Sequence, residues 1–176
     1  MIRRLRTKLH YWLNAENYSP LVDKTLMDLR SDDADAAIRA ADFILGLLPL
    51  MQAPPFRVHY NDIVCAAYVQ LLCSNGLVRF KMCELLEMMI ELDMQATTEL
   101  MLNLADEADA KQLAGILTAL CRVLRRDICM KEFPNQQVLS FFEKHLDSAD
   151  DNIRGKAIAG ATLMDYYFKA TSPRSK

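Results

Sequence analysis

The fold is decided most clearly by residues 113–124, whose sequence is LAGILTALCRVL. Apolar side chains in this stretch recur at spacings of three and four residues, which places them on one stripe of an α-helix. The stripe consists of Leu113, Ile116, Leu117, Leu120, Cys121 and Leu124. A stripe of this kind is stable only when it is buried, so the pattern predicts a helix in the core of a helical domain.

The composition of the chain also favours an all-α fold. Its 176 residues include only 5 Gly and 6 Pro, whereas 52% are hydrophobic. A sandwich or barrel needs many turns, and a disordered chain has fewer apolar residues. We therefore predict a single α-helical domain over residues 1–170 and a flexible basic tail over 171–176.

The spacing of the apolar residues and the residues typical of helix ends together predict about nine helices joined by short turns. Pro20 suits the first turn of a helix, Ser31-Asp32-Asp33 suits the start of the next, and Asn75-Gly76 suits a tight reversal. The predicted helices cover residues 2–13, 20–30, 34–48, 61–74, 77–92, 96–105, the stripe 113–124, 135–146 and 150–169.

Two stretches share a helix–turn–helix pattern. Residues 26–41 read LMDLRSDDADAAIRAA, and residues 142–157 read FEKHLDSADDNIRGKA. In each stretch a Leu closes one helix, Asp and Ser cap exposed amides at the start of the next, and an Ile-Arg pair follows. We expect the Ile to face the interior of the hairpin and the Arg to point outward.

This pattern resembles the hairpin of HEAT repeats and their armadillo relatives, in which an apolar residue followed by Arg opens the second helix. The resemblance is clearest over residues 138–168, where Ile153 follows Leu146 by seven positions, and it is weaker over 21–48, where Ile38 follows Leu29 by nine. It implies an irregular right-handed stack of antiparallel helical hairpins, a HEAT/armadillo-like α-solenoid. A compact α-helical bundle is the alternative.

Motifs of catalytic and cofactor sites are missing from the sequence. It contains no H-E-x-x-H, no G-x-S-x-G and no G-x-G-x-x-G, and these carry the chemistry of common zinc, serine and dinucleotide sites. The segment from Gly155 to Gly160 lacks the lysine of a phosphate-binding loop, so its glycines are interpreted as sites of close helix packing. We therefore predict that the protein is not an enzyme and uses no metal or other cofactor.

The cysteines and the length of the apolar runs indicate where in the cell the protein is expected. There are 5 Cys with no C-x-x-C pair, which favours reduced thiols inside the cell, in the cytoplasm or nucleus. The longest uninterrupted apolar run, residues 43–51, is shorter than a transmembrane helix requires.

Charge is distributed unevenly along the chain. The first 15 residues contain no acid and four cations, Arg3, Arg4, Arg6 and Lys8, whereas the remainder holds 17 bases and 23 acids. The segment 2–13 also has an apolar face as a helix. We favour packing of this face on the domain; mitochondrial targeting by residues 1–15 and attachment to a membrane surface are the alternatives.

Three groups of charged residues are candidate partner-binding surfaces. They are the basic start, an arginine face of one predicted helix and an acidic stripe of another. The arginine face comprises Arg122, Arg125 and Arg126, and the acidic stripe comprises Glu84, Glu87 and Glu91.

These surfaces, together with the missing catalytic motifs, predict a non-catalytic interaction or scaffold module that binds a partner protein or peptide. The alternative is binding of the phosphate backbone of a nucleic acid by the basic start and the arginine face. Tyr166, Tyr167 and Phe168 near the end of the last predicted helix suggest self-association.

Overall fold

The structure, a computed structural model, describes residues 15–48, 57–126 and 133–171. These residues form eight α-helices and no strand, so the predicted all-α class is confirmed for this part of the chain. Each helix corresponds to one predicted helix, and the ninth, over 2–13, lies outside the described residues. The helices are α1 (Ala15–Leu29), α2 (Ala34–Leu47), α3 (Tyr60–Gln70), α4 (Gly76–Leu92), α5 (Met94–Ala105), α6 (Ala110–Arg125), α7 (Asn135–Lys144) and α8 (Asp151–Thr171).

The chain divides into two compact units, Met1–Leu92 and Asp93–Lys176. In the first unit α2 packs on α1 and α4, and α3 packs on the same two helices. In the second unit α8 packs on α6 and α7, and α5 contacts α6. The single domain over 1–170 and the stack of hairpins stay predictions.

Carboxylate caps determine where four of the helices begin. Asp33 accepts a hydrogen bond from the amide of the second residue after it at 3.0 Å, as expected for the predicted cap of α2. Asp93 and Asp150 cap α5 and α8 in a similar way. Asp109 and Gln112 form a reciprocal capping box at the start of α6. Each carboxylate satisfies an amide that has no acceptor within its own helix.

The predicted start of the second helix at Pro20 is wrong, because α1 begins at Ala15 and Pro20 lies inside it. Proline has no N–H group, so it cannot donate to the carbonyl four residues earlier. The first four amides of any helix have no intrahelical acceptor. Pro20 therefore removes only one bond close to the helix start, which α1 tolerates.

The stripe of α6 lies in the core of the second unit. Ile116, Leu117, Leu120 and Leu124 are all fully buried, so the predicted stripe is confirmed at these positions, whereas Leu113 at its start is half-buried. None of the described helices combines the length and the apolar character that crossing a membrane requires.

Helices α7 and α8 come into close contact at Gly160. A Cβ atom at this position would overlap the ring of Phe142, which is itself fully buried, whereas a Cβ atom at Gly155 would have no neighbour within 4 Å. The interpretation of these glycines as packing sites is therefore confirmed for Gly160 and wrong for Gly155.

Candidate binding cleft between α6 and α8

A cleft of about 380 Å³ lies between α6 and α8 in the second unit. Three of its lining side chains are cations and one is an acid. The lining residues are Thr118, Cys121, Arg122 and Arg125 of α6, and Asp151, Asn152, Gly155, Lys156 and Ala159 of α8.

Burial of the α6 stripe positions the two arginines. With Leu120 and Leu124 fully buried, the rotation of the helix is fixed, and Cys121, Arg122 and Arg125 line the cleft. Arg122 and Arg125 are three positions apart, so they are neighbours on the helix surface. Both lie in the last turn, where the negative end of the helix dipole stabilises positive charge.

Lys156 reaches the same cleft from α8. The cap at Asp150 sets the start of this helix, and buried Ile153 and Ala157 set its rotation. The thiol of Cys121 donates to the backbone carbonyl of Lys156 at 3.5 Å. This bond joins the two helices beside the three cations.

The thiol of Cys121 is unreactive at neutral pH. Burial raises its pKa to about 11, although the charges of Arg125 and Lys156 act in the opposite direction. At neutral pH the group is therefore a neutral thiol, and the thiolate is the nucleophilic form. Cys121 is thus part of the wall of the cleft and adds no negative charge to it.

The acid of the cleft, Asp151, forms an ion pair with Arg154, which is not a lining residue. The guanidinium of Arg154 also donates to the carbonyl of Ser148 at 2.8 Å. Asp151 is thus engaged along α8, and Arg122, Arg125 and Lys156 give the lining an excess of positive charge.

The structure divides the predicted arginine face. Arg122 and Arg125 line the cleft, whereas Arg126 follows α6 at its C-cap position and is not a lining residue. The sequence does not indicate Lys156 as part of this site, because its proximity to the arginines depends on the packing of two helices whose contacting residues are 35 positions apart. The basic start, Arg3, Arg4, Arg6 and Lys8, lies outside the described residues.

The predicted acidic stripe does not form one exposed face. Glu87 is only 3% exposed, and Glu84 forms an ion pair with Lys81, which also pairs with Asp42. Glu87 lies four positions after buried Cys83, a spacing that places the two on the same side of α4. The prediction that Glu84, Glu87 and Glu91 form one acidic surface for a partner is therefore corrected, because Glu87 is buried.

Two of the three aromatic residues near the end of α8 are exposed to solvent. Tyr166 is 68% exposed and Phe168 is 37% exposed. Tyr167 instead donates a hydrogen bond to the carbonyl of Leu124 in α6. Self-association through this end of α8 stays a prediction.

A second cleft in the same unit, of about 360 Å³, differs in charge. It lies between α5 and α7 and is lined by Gln95, Glu99 and residues 134–137. Its charged lining residue is an acid, Glu99, which accepts a hydrogen bond from Gln95 at 3.1 Å. The cleft between α6 and α8 is thus the one of these two that suits an anion.

Comparisons with protein-family models, curated proteins and solved structures give no significant match to this chain. Among residues 15–48, 57–126 and 133–171, no group of three or more His, Cys, Asp or Glu is placed to hold a metal ion. The described cysteines, Cys65, Cys73, Cys83 and Cys121, are free thiols, and Cys129 lies outside this part of the chain.

Proposed function

We propose that this protein is a non-catalytic interaction module that binds an acidic segment of a partner protein in the cleft between α6 and α8. One observation carries the proposal: two helices place Arg122, Arg125 and Lys156 around a single cleft. Guanidinium groups donate paired hydrogen bonds to carboxylates, and ammonium groups add a point charge.

The size and charge of the cleft support a short segment as the ligand. About 380 Å³ is near the lower end of the volumes of small-ligand pockets, roughly 300–1,000 Å³. A few side chains of a partner therefore fill it, and complementary charge supplies orientation and a fast encounter. An irregular stack of helical hairpins, which we propose as the architecture, offers exposed faces for such docking. The cysteine pattern supports a cytoplasmic or nuclear location.

Binding of a labelled peptide tests this function. A short peptide of alternating Glu and Gly should bind the full chain, and its Gln-Gly twin should not, with fluorescence anisotropy as the readout. The double variant Arg122→Glu/Arg125→Glu should lose the binding, because it reverses two of the three lining cations. The matched control is Arg126→Glu/Lys111→Glu, which makes the same charge change at two exposed α6-region positions outside the lining.

Equal loss of binding in the test and control pairs would show that total charge, and not the cleft, binds the peptide. A short DNA duplex is the third probe. If the duplex binds more tightly than the acidic peptide, and binding falls steeply with salt, the nucleic-acid alternative replaces this function.

A further inference from the structure

We infer that the group bound in the cleft between α6 and α8 is a phosphate monoester on a side chain of the partner segment. This inference rests on the proposed function and specifies its ligand. It follows from the number of cations, from their arrangement on two helices, and from the pairing of the one acid of the lining, Asp151, with Arg154.

The number of cations exceeds what one carboxylate can neutralise. The lining contains three cations, Arg122, Arg125 and Lys156, and one acid, Asp151. The carboxylate of Asp151 already forms an ion pair with Arg154. A carboxylate carries one negative charge. A phosphate monoester carries about two at neutral pH and has three strong acceptor oxygens, so it matches the excess of positive charge more closely.

The arrangement of the cations also fits a tetrahedral group. Arg122 and Arg125 approach from α6, and Lys156 approaches from α8. Donors on two walls reach oxygens that point in different directions, whereas the two oxygens of a carboxylate lie in one plane. Arginine forks match phosphate as well as carboxylate, and lysine is a common point-charge partner of phosphate.

The uncharged residues of the lining add no negative charge to the cleft. The raised pKa of Cys121 keeps its thiol neutral beside Arg125 and Lys156. The hydroxyl of Thr118 donates to the carbonyl of Ala114 at 2.6 Å within α6. Asn152 adds an uncharged amide from α8.

A nucleic-acid duplex fits this arrangement less well. Its phosphodiesters carry one charge each and are spaced along a rod, so a protein that binds them presents cations along a surface. Here the three lining cations converge on one cleft, and the adjacent Arg126 is not part of the lining.

Three labelled peptides test the inference with the full chain. They share one neutral sequence of Gly and Asn and differ at a central phosphoserine, Glu or Ser. We expect the phosphoserine peptide to bind at least about tenfold more tightly than the Glu twin, as charge-assisted contacts with a dianion predict. The Ser twin should bind more weakly than both, and inorganic phosphate should compete only at much higher concentration than the phosphoserine peptide.

Variants locate the binding. Arg125→Glu and Lys156→Glu should each weaken binding of the phosphoserine peptide by about tenfold or more, and Arg125→Gln should have a smaller effect of the same sign. Arg126→Glu is the matched control and should stay within about twofold of the unmodified chain, because an exposed charge outside the contact contributes little. Circular dichroism and thermal unfolding establish that each variant is folded.

Each contrary result has a separate meaning. Equal binding of the phosphoserine and Glu twins, lost in Arg125→Glu, overturns the phosphate inference and leaves the acidic-segment function standing. Binding of neither twin overturns both. Phosphopeptide binding that survives Arg125→Glu and Lys156→Glu overturns the assignment to this cleft. Inorganic phosphate that competes as well as the phosphopeptide overturns the partner segment as the source, and tighter binding of a DNA duplex overturns the monoester.

Discussion

The α1–α2 and α7–α8 hairpins have the same turn chemistry. In the first, the hydroxyl of Ser31 accepts from the amide of Asp33 at 3.1 Å; in the second, Ser148 accepts from Asp150 at 3.3 Å. Each Asp then accepts from the amide two residues further on, at 3.0 Å and 2.8 Å respectively. The repeated Ser-x-Asp sequence therefore forms the same capped turn twice.

The two hairpins differ in what binds the carbonyl of that serine. The carbonyl of Ser31 accepts from the side chain of Gln70 at 2.9 Å, from a position 39 residues away. The carbonyl of Ser148 accepts from Arg154 at 2.8 Å, only six residues away. The first turn is thus bonded to another helix of its unit, whereas the second is completed by its own hairpin.

The two hairpins also differ in which residue of the second helix is buried against its neighbours. Ile153 of the second hairpin is 4% exposed, as expected for the Ile of the Ile-Arg pair, but Ile38 is only half-buried and its neighbour Ala37 is fully buried. The similarity of the two stretches therefore extends over the cap and not into the core. A capped turn depends on a few adjacent residues, whereas a buried register depends on the whole helix that packs against it.

The largest expected effect comes from the glycine of the second hairpin. Gly160→Ala should destabilise the protein by about 3 kcal/mol, because the new methyl group overlaps the fully buried ring of Phe142 and overpacking has costs of this order. The measurement is the midpoint of chemical unfolding, followed by circular dichroism.

Gly46 provides the matched control, since it also lies in the second helix of a hairpin and a Cβ atom there has no neighbour within 4 Å. Gly46→Ala should stabilise by about 0.5–1 kcal/mol, because Ala is the better helix former. Adding Phe142→Leu to Gly160→Ala should restore part of the loss. A harmless Gly160→Ala variant would show that α7 and α8 do not approach as closely as described.

The second effect tests the two serine carbonyls. Gln70→Leu keeps the apolar volume but removes the long-range donor to Ser31, and a buried polar group without its partner costs about 1–3 kcal/mol. Arg154→Leu removes a donor whose side chain is 41% exposed, against 7% for Gln70, so water can replace it more easily and we expect a loss below about 1 kcal/mol. Unfolding free energies of the two variants are the comparison. A larger loss of unfolding free energy from Arg154→Leu than from Gln70→Leu would contradict this expectation.

A smaller effect tests the shared part of the turns. Asp33→Ala and Asp150→Ala should each reduce stability by about 1 kcal/mol, the usual contribution of a helix cap. Asp→Asn at either position should recover most of the loss, because an amide oxygen still accepts the bond. Hydrogen exchange of the first-turn amides of α2 and α8 is the local readout. Protection lost in one helix only would show that the two caps are not equivalent.

The smallest expected effect is a pH dependence confined to the second hairpin. His145 follows α7, its ring packs edge-on to Phe141 at 5.0 Å, and its Nε2 atom is buried. Burial, and then the charge of Lys144, lower the pKa of the imidazole. On acidification the unfolded chain binds the proton first, so stability is fully present above about pH 6.5 and falls below it.

A variant separates this effect from the titration of acids elsewhere. The loss of stability between about pH 7.5 and pH 5.5 should be smaller in His145→Gln than in the unmodified chain. Residues 30–33 of the first turn contain no histidine. Exchange of the α2 amides should therefore respond equally in both proteins, and a pH dependence unchanged by His145→Gln would contradict the assignment.

Periodicity predicted the helices well because it is a local property. The stripe 113–124 and the cap at Asp33 depend on residues within one or two turns of each other. Asn75-Gly76, predicted as a tight reversal, lies at the start of α4, where the side chain of Asn75 accepts from the amides of Leu77 and Val78. The structure places helix ends within a few residues of the predicted ones, apart from the start of α1. That exception arises because Pro20 is tolerated a turn and a half inside α1, which a rule placing proline in the first turn does not anticipate.

Only one wall of the candidate cleft, the one formed by α6, could be predicted from the sequence. The spacing of Arg122 and Arg125 on one helix is visible in the sequence, but the opposite wall is not, because tertiary packing brings Lys156 to it. Burial of Glu87 has the same origin: its helical position is plain, while the width of the buried side of α4 depends on neighbouring helices. Contacts between distant segments therefore account for most of what the residues alone could not show.

The thiol of Cys121 has a practical consequence. With a pKa of about 11, fewer than about one molecule in a thousand carries a thiolate there at neutral pH, and alkylating reagents attack the thiolate. Cys121 is also covered, whereas Cys65 and Cys73 are half-buried. Because the thiol of Cys121 is bonded to the backbone carbonyl of Lys156, its labelling rate, followed by mass spectrometry, reports how often this bond between α6 and α8 opens.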